Sequence, residues 1–303
     1  MSSLPSSIQR LQRLERRLHE SIRGQDHVIS RVMEQVTIGE SDLVPTGRPK
    51  GSFLFIGPTG VGKTELARIL AQELYDGAEP LRFDMAEFSA HDAIKNFIGD
   101  QTGNLGRLGA LLANAAGGII LADEIEKAHP DVVAVYLAIL DAARVTCGDG
   151  RLFDLSNFYL IFTSNLGAAD ILRARHLNYT QMERHILAQV SATFRPEFLG
   201  RIDSKHVFRK LSYEVQLEIA RLNLELEREF LRAKGYRVAF EDAVLPFLIQ
   251  IGFDKYLGAR PLRQAMHKQI RFALAQHLHR SGQNSLVGTL KVTADRKALY
   301  FQT

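Results

Sequence analysis

The chain has 303 residues, 46% of them hydrophobic, with 38 Lys and Arg against 34 Asp and Glu and a formal net charge of +4. That length and apolar content bury a sizeable core and exclude a low-complexity or disordered polypeptide. The apolar runs are strand-length, far short of the roughly 20 residues a membrane helix needs, and the single Cys147 excludes an internal disulfide, so a reducing cytoplasm is expected.

In chain order, Ser6 and Ser7 are placed to cap a first helix with an apolar stripe of Ile8, Leu11, Leu14, Leu18 and Ile22. Arg10, Arg13, Arg16 and Arg17 flank that stripe and read as a solvated face. Gly24 ends it, a second helix follows from His27 to Ile38, and Pro45, Gly47 and Pro49 mark a turn-rich connector over 43–51. Short β-branched or aromatic runs then alternate with helical segments, the pattern of a parallel sheet covered on both faces. Strands are predicted over 52–56, 81–84, 119–122, 159–163 and 205–208, and helices over 63–75, 90–97, 107–116, 130–143 and 180–193. Beyond Leu211 the pattern turns mainly helical, with helices predicted over 213–234, 242–252 and 259–281, a strand over 237–240, and a closing hairpin of 286–292 with 298–302. The expected division is a lead-in over 1–50, a large α/β domain over 51–210 and a small domain over 211–303.

Gly57-Pro58-Thr59-Gly60-Val61-Gly62-Lys63-Thr64 fits the phosphate-loop spacing and lies between a buried strand and a helix, where that motif functions. Its glycines let backbone N–H groups face the phosphates of ATP, Lys63 reaches the β- and γ-phosphates, and the Thr64 hydroxyl ligates Mg²⁺. The strand over 118–122 ends in Asp123 and Glu124, at the carboxyl edge where open α/β sheets bind ligands. Asp123 then serves the metal and Glu124 the attacking water. Asn165 closes the strand over 159–164 and is placed to orient the same water, while Arg201 and Arg260 are single arginines available to sense the γ-phosphate or to form surface ion pairs.

Together these segments resemble the AAA+ ATPases of the Clp family, nearest the second ATPase module of the ClpB type. The resemblance rests on 51–65, on Asp123-Glu-Ile-Glu-Lys-Ala-His-Pro130, on Thr163-Ser-Asn-Leu-Gly167, on Phe194-Arg-Pro-Glu-Phe198 and on Gly258-Ala-Arg-Pro-Leu262. It implies a P-loop AAA+ fold with a helical C-terminal lid, ATP and Mg²⁺ as cofactors, and a homo-oligomer, expected to be a hexamer, that remodels an unidentified protein client. By the same resemblance Asn165 is the first sensor, Arg201 the arginine finger that reaches a neighbouring subunit's γ-phosphate, and Arg260 the second sensor. Ile22 and Arg23 match the adenine-contacting position, where the family usually has an apolar residue instead of Arg23.

Two departures bear on function. The family's pore loop reads Gly-Tyr-Val-Gly, whereas this chain has Gly103-Asn104-Leu105-Gly106, without the aromatic ring that grips a threaded polypeptide. The segment between Asn165 and Phe194 lacks an Ile-Gly-Phe or Ile-Gly-Leu tripeptide, so no partnership with a Clp peptidase is expected; Ile251-Gly-Phe253 reads as a helix end inside the small domain. Cys147 reads as an idle thiol in a loop that the resemblance makes a second pore element, flanked by Arg144 and Arg151. A remodeller that docks its client without threading it, and an ATP-regulated DNA-binding scaffold, stay open as alternatives. The second has only the mild basic balance behind it, since no recognition-helix signature is present.

Overall fold

The computed structural model describes residues 4–41, 43–174, 178–254, 257–282 and 286–303. The chain divides into two compact units, one of Met1–Pro58 with Gly62–Arg209 and the other of Thr59–Val61 with Lys210–Thr303.

In the first unit, α1 (Leu4–Ser21) and α2 (Asp26–Gly39) precede β1 (Gly51–Ile56), α3 (Lys63–Leu74), β2 (Leu81–Asp84), α4 (Ala93–Ile98), α5 (Gly106–Leu112) and β3 (Gly118–Asp123). Then come α6 (Pro130–Ala142), β4 (Arg144–Thr146), β5 (Leu152–Asp154), β6 (Phe158–Ser164), α7 (Ala168–Arg173), α8 (Tyr179–Thr193), α9 (Pro196–Arg201) and β7 (Ser204–Val207). Five strands form one parallel sheet in the order β2-β3-β6-β1-β7. Every residue of β1 and β6 is buried, which is why both read as continuous apolar runs and not as alternating ones. Phe53, Phe55, Phe162 and Tyr136 fill the space around the sheet with ring contacts typical of packed aromatic cores.

Several sequence expectations change here. α1 begins at Leu4, so Ser6 and Ser7 lie within the helix and not at its N-cap position; Pro5 is tolerated because a first-turn N–H has no helical acceptor. The arginine face of α1 is not simply solvated. Arg10 pairs with Glu40, and Arg13 (2.9 Å) and Arg17 both pair with Glu73 on α3, so that face docks onto the rest of the unit. Cys147 lies, as read, in a loop, here the one that joins the antiparallel β4 and β5, and the thiol is buried, with burial raising its pKa above the usual thiol value. Strands of three residues are too short for periodicity to reveal. The short α7 and α9 were not anticipated for the same reason, and α4 starts at Ala93 where Ala90 was expected.

His206 on β7 is buried between the rings of Phe53 and Phe55, with Ser204 Oγ 2.8 Å from Nε2 and Nδ1 lacking a partner among the described residues. Burial, with nearby Arg31 and His27, lowers its pKa from 6.5 to about 3. Because the folded value lies below the unfolded one, the unfolded chain binds the extra proton between these pH values. The stabilisation is complete above pH 6.5 and is lost as pH falls towards 3. The slope it contributes approaches about 1.4 kcal/mol per pH unit. His206→Phe is expected to flatten that acid limb, read from urea-unfolding midpoints between about pH 7 and about pH 5; equal slopes for both proteins would remove His206 as the cause.

The second unit holds α10 (Tyr213–Ala233), β8 (Arg237–Phe240), α11 (Val244–Gly252), α12 (Arg260–Ser281), β9 (Val287–Val292) and β10 (Leu299–Gln302). β9 pairs with β10 antiparallel and with β8 in parallel, and the core between helices and sheet contains Leu248, Leu262, Met266, Ile270 and Leu290. α11 ends at Gly252, where a Cβ would stand 2.9 Å from the Cα of Leu262, so the glycine lets α11 and α12 approach closely.

Candidate active site

The parallel register brings the carboxyl ends of the central strands to one edge. Ile56 of β1 lies opposite Ser164 of β6, Ala122 opposite Phe162, and Asp84 opposite Asp123. Residues that follow these strands, Gly57, Glu124 and Asn165, therefore converge although they are far apart in sequence.

α3 starts at Lys63 with Gly62 as its N-cap, at a φ of 109° that a side chain rarely adopts, and among the described residues no side chain caps the first turn. Its leading N–H groups are thus left for an anion. The methyls of the buried Ile22 stand 3.4 and 3.6 Å from where a Gly62 Cβ would be, which places Ile22 against the loop. Arg23 is half-buried, and its Nε has no partner among the described residues.

Lys63 is buried, and its ammonium donates to the carbonyls of Gly57 and Pro58 (2.8 Å) and to Asn165 Oδ1 (3.0 Å). Burial lowers its pKa to about 8, opposed by the carboxylates of Asp123, Glu126 and Glu124. Its hydrogen bonds go to uncharged oxygens, and a phosphate is a stronger partner for the ammonium than these are. The Asn165 amide continues the chain, since its Nδ2 donates to Glu124 Oε1 at 2.7 Å. One residue thereby joins the phosphate-loop lysine to the carboxylate.

Glu124 has a φ of 59°, a strained value for a residue with a side chain. Its backbone N–H donates to Thr163 Oγ1 at 3.0 Å, and that hydroxyl in turn donates to Asp123 Oδ1. Asp123 Oδ2 accepts from Arg82 at 2.6 Å, Glu124 Oε2 pairs with Lys127, and Glu126 Oε1 accepts the Asn165 N–H at 2.9 Å. Arg82, Thr163, Glu126 and Lys127 were missed as site residues. Glu126, Lys127 and Thr163 lie within the motifs that carry the resemblance, whereas only strand pairing reveals Arg82.

The donor set fits a hard cation. Thr64 heads α3 beside Lys63, and Asp123 offers an oxygen at the same sheet edge, the oxygen ligands that Mg²⁺ takes together with phosphate and water. Thr163→Val deletes the hydroxyl that orients Asp123 and tethers Glu124. It is expected to lower nucleotide turnover about 10- to 100-fold, measured as phosphate release against magnesium concentration; unchanged turnover would show that the tether is dispensable.

Arg201, at the end of α9, is not part of this cluster. It pairs with Asp141 at 2.7 Å, the two side chains being 45% and 39% exposed. It also lines a groove of about 300 Å³ with Lys50, Ser52 and Asp203. Asp203 accepts from the N–H of Ser52, at the starting end of β1, so Arg201 lies at the opposite edge of the sheet from Gly57 and Lys63. Thr59, Gly60 and Val61 group with the second unit, where Arg260 is the exposed first residue of α12. In the loop over 103–106, Asn104 accepts from the Gly106 N–H at 3.0 Å, and its backbone bridges to Asp100.

A five-stranded parallel sheet with a phosphate loop after β1, acidic residues after β3 and an Asn after β6 defines a P-loop module of the AAA type. Residues 48–205 match the AAA domain (Cdc48 subfamily), and 211–292 match the C-terminal D2-small domain of ClpB protein. The chain belongs to the AAA domain family, with a ClpB-type small domain following the AAA domain. It is 37% identical to chaperone protein ClpB 1 of Synechococcus elongatus over 98% of this chain and 35% of that protein. Against ClpB of Vibrio cholerae the identity is 37% over 91% of this chain and 33% of the relative. Among solved structures, a Saccharomyces cerevisiae Hsp104:casein complex in its extended conformation matches with a TM-score of 0.86 at 31% identity, covering 99% of this chain and 53% of that one. A closed-state Hsp104 reconstruction with ATPγS and FITC-casein matches with a TM-score of 0.85 at 31% identity, over 98% and 52%. The chain thus spans about a third of the length of the curated relatives it matches. Among the described residues no helix is long and apolar enough to cross a membrane.

Proposed function

We propose that this module binds ATP with Mg²⁺, hydrolyses it, and uses the turnover to remodel a protein client within a homo-oligomeric ring. The observation that carries the reading is the linked set Lys63, Asn165 and Glu124 beside Asp123 at the carboxyl edge of the sheet. Phosphoryl transfer needs positioning and charge stabilisation more than covalent chemistry, and these groups supply both.

In this reading the N–H groups at the start of α3 and the Lys63 ammonium bind the phosphates, and Ile22 and Arg23 flank the base. Thr64 and Asp123 would hold the metal, which would supply positive charge to the phosphate oxygens. Asn165 orients a water whose proton passes to the Glu124 carboxylate as its oxygen bonds to the γ-phosphorus and the bond to the bridging oxygen breaks. Arg201 stabilises the developing charge in the neighbouring subunit's site. Its own pairing with Asp141 is exposed and worth about 1 kcal/mol or less, so the guanidinium is easily released. Its position at the far edge of the sheet is what favours action in trans. Residues 1–50, 51–210 and 211–303 act as lead-in, nucleotide-binding domain and lid, with Arg260 as the lid's sensor. A cytoplasmic site of action and a hexameric ring accompany this reading.

The relatives' names support a chaperone over a DNA-bound scaffold, and a solved relative is captured with casein. Grip on a client through Asn104 is weak in this reading, because its side chain is short and already engaged by the Gly106 N–H. The test is phosphate release across a protein concentration series, beside light-scattering mass with and without ATP. Turnover per subunit that rises with assembly supports the ring; a monomer whose turnover is absent or independent of concentration overturns it.

A further inference from the structure

The second unit carries a pocket that the nucleotide chemistry does not use. α12 places Arg263, His267 and Arg271 four residues apart on one face, and all three line a cavity of about 120 Å³ beside α10. Glu227 of α10 forms part of the lining and is only 3% exposed. A buried carboxylate has to be paired, and here Arg271 supplies two bonds, Nε to Oε1 at 2.9 Å and Nη2 to Oε2 at 3.2 Å. His267 Nε2 stands 3.3 Å from Oε2. Arg271 is fixed a second time by the ring of Phe230, whose centroid lies 4.7 Å from its guanidinium carbon.

This arrangement leaves a positive charge over. Arg263 and Arg271 face one carboxylate, and no carboxylate among the described residues pairs with Arg263. Along α12 the sign is the same, since it carries Arg260, Arg263, Lys268, Arg271 and Arg280 and no Asp or Glu. α10 carries five glutamates and three arginines, but of the glutamates Glu227 alone lines the pocket, and Glu225 is occupied by Arg228 at 2.6 Å. Of the remaining lining, Asn223 and the buried Met266 complete the wall, and Leu226 and Phe230 are open, 53% and 43% exposed. A free inorganic anion would gain nothing from Leu226 and Phe230. A nucleic acid would need several unpaired cations in a row, and among the described lining residues Arg263 is the one arginine without a carboxylate partner. An acidic side chain with an apolar neighbour uses every part of the site.

We propose that this pocket binds a carboxylate side chain of an acidic partner polypeptide, with Arg263 as its first contact and an adjoining apolar side chain laid on Leu226 and Phe230. The binding involves no covalent step and is independent of the nucleotide site.

Fluorescence anisotropy of the full chain tests it, using a fluorescein-labelled peptide of sequence Gly-Glu-Leu-Gly-Glu-Leu-Gly and its counterpart with Gln for Glu. The Glu peptide is expected to bind, and the Gln peptide about tenfold more weakly or not at all. Arg263→Glu is expected to lower affinity about tenfold, and Leu226→Ser about threefold, with thermal unfolding and nucleotide binding unchanged. Arg263 and Leu226 are exposed, so neither change disturbs the core. Four outcomes would overturn the proposal: no binding of the Glu peptide, equal binding of the two peptides, full affinity in Arg263→Glu, or displacement by glutarate or single-stranded DNA at the peptide's own concentration. The last would assign the site to small anions or to phosphate backbones.

Discussion

Replacing Glu124 by Gln is expected to leave ATP bound while lowering its turnover about a thousandfold. Lys63 makes its hydrogen bonds to Gly57, Pro58 and Asn165, and of the three carboxylates that favour its charged form Glu124 contributes least, so affinity for a fluorescent ATP analogue should stay within about threefold of the parent. The amide keeps an oxygen that can accept from Asn165 Nδ2, the bond now made to Glu124 Oε1 at 2.7 Å. What it loses is the basic carboxylate and the ion pair with Lys127. Because the left-handed backbone at Glu124 is held by the Thr163 hydroxyl and not by the side chain, the substitution leaves the local fold in place. Phosphate release together with equilibrium nucleotide binding reads the two effects separately. Turnover that survives within about threefold would show that another group handles the water.

The second large effect is expected for Arg201→Ala, a loss of turnover of about a thousandfold at protein concentrations where the parent is assembled. Removing a pair with Asp141 that is nearly half exposed costs little stability, about 1 kcal/mol or less, so unfolding is not an alternative explanation. The variant should bind nucleotide normally. Mixing it with Glu124→Gln makes the result specific to a trans site: a ring containing both restores activity wherever an intact Arg201 meets an intact Glu124. Two inactive proteins that stay inactive when co-assembled would place Arg201 outside the neighbour's site. The geometry of one chain already argues against action in cis. Arg201 shares its groove with Ser52, near the start of β1, whereas the phosphate loop begins after Ile56, and a strand advances about 3.3 Å per residue.

Much of this was legible because the relevant signals are local. The phosphate loop is a contiguous spacing whose glycines and lysine have a fixed relation to one another, and the strands of a sheet buried on both faces are unbroken apolar runs. β1 and β6, buried along their whole length, are therefore read to within one residue at each end. Short elements were not. β4, β5, α7 and α9 have three to six residues each, fewer than the period needed to tell one pattern from another. The arginines of α1 read as solvated because nothing local shows that Glu40 and Glu73 lie within reach.

The sequence by itself determined the family and the order of the longer elements, and it marked Lys63 at the start of a helix and Asp123, Glu124 and Asn165 at strand ends. Only the tertiary structure decided which side chains surround them. Arg82 reaches Asp123 because β2 pairs with β3 in a parallel register that aligns Asp84 with Asp123. Glu227, Arg263, His267 and Arg271 form one pocket because α10 and α12 meet there, although Glu227 and Arg271 are 44 residues apart in sequence. The reason is physical: backbone propensity and apolar periodicity act over a few residues, whereas a charge takes its role from whatever the packed fold places within hydrogen-bonding distance.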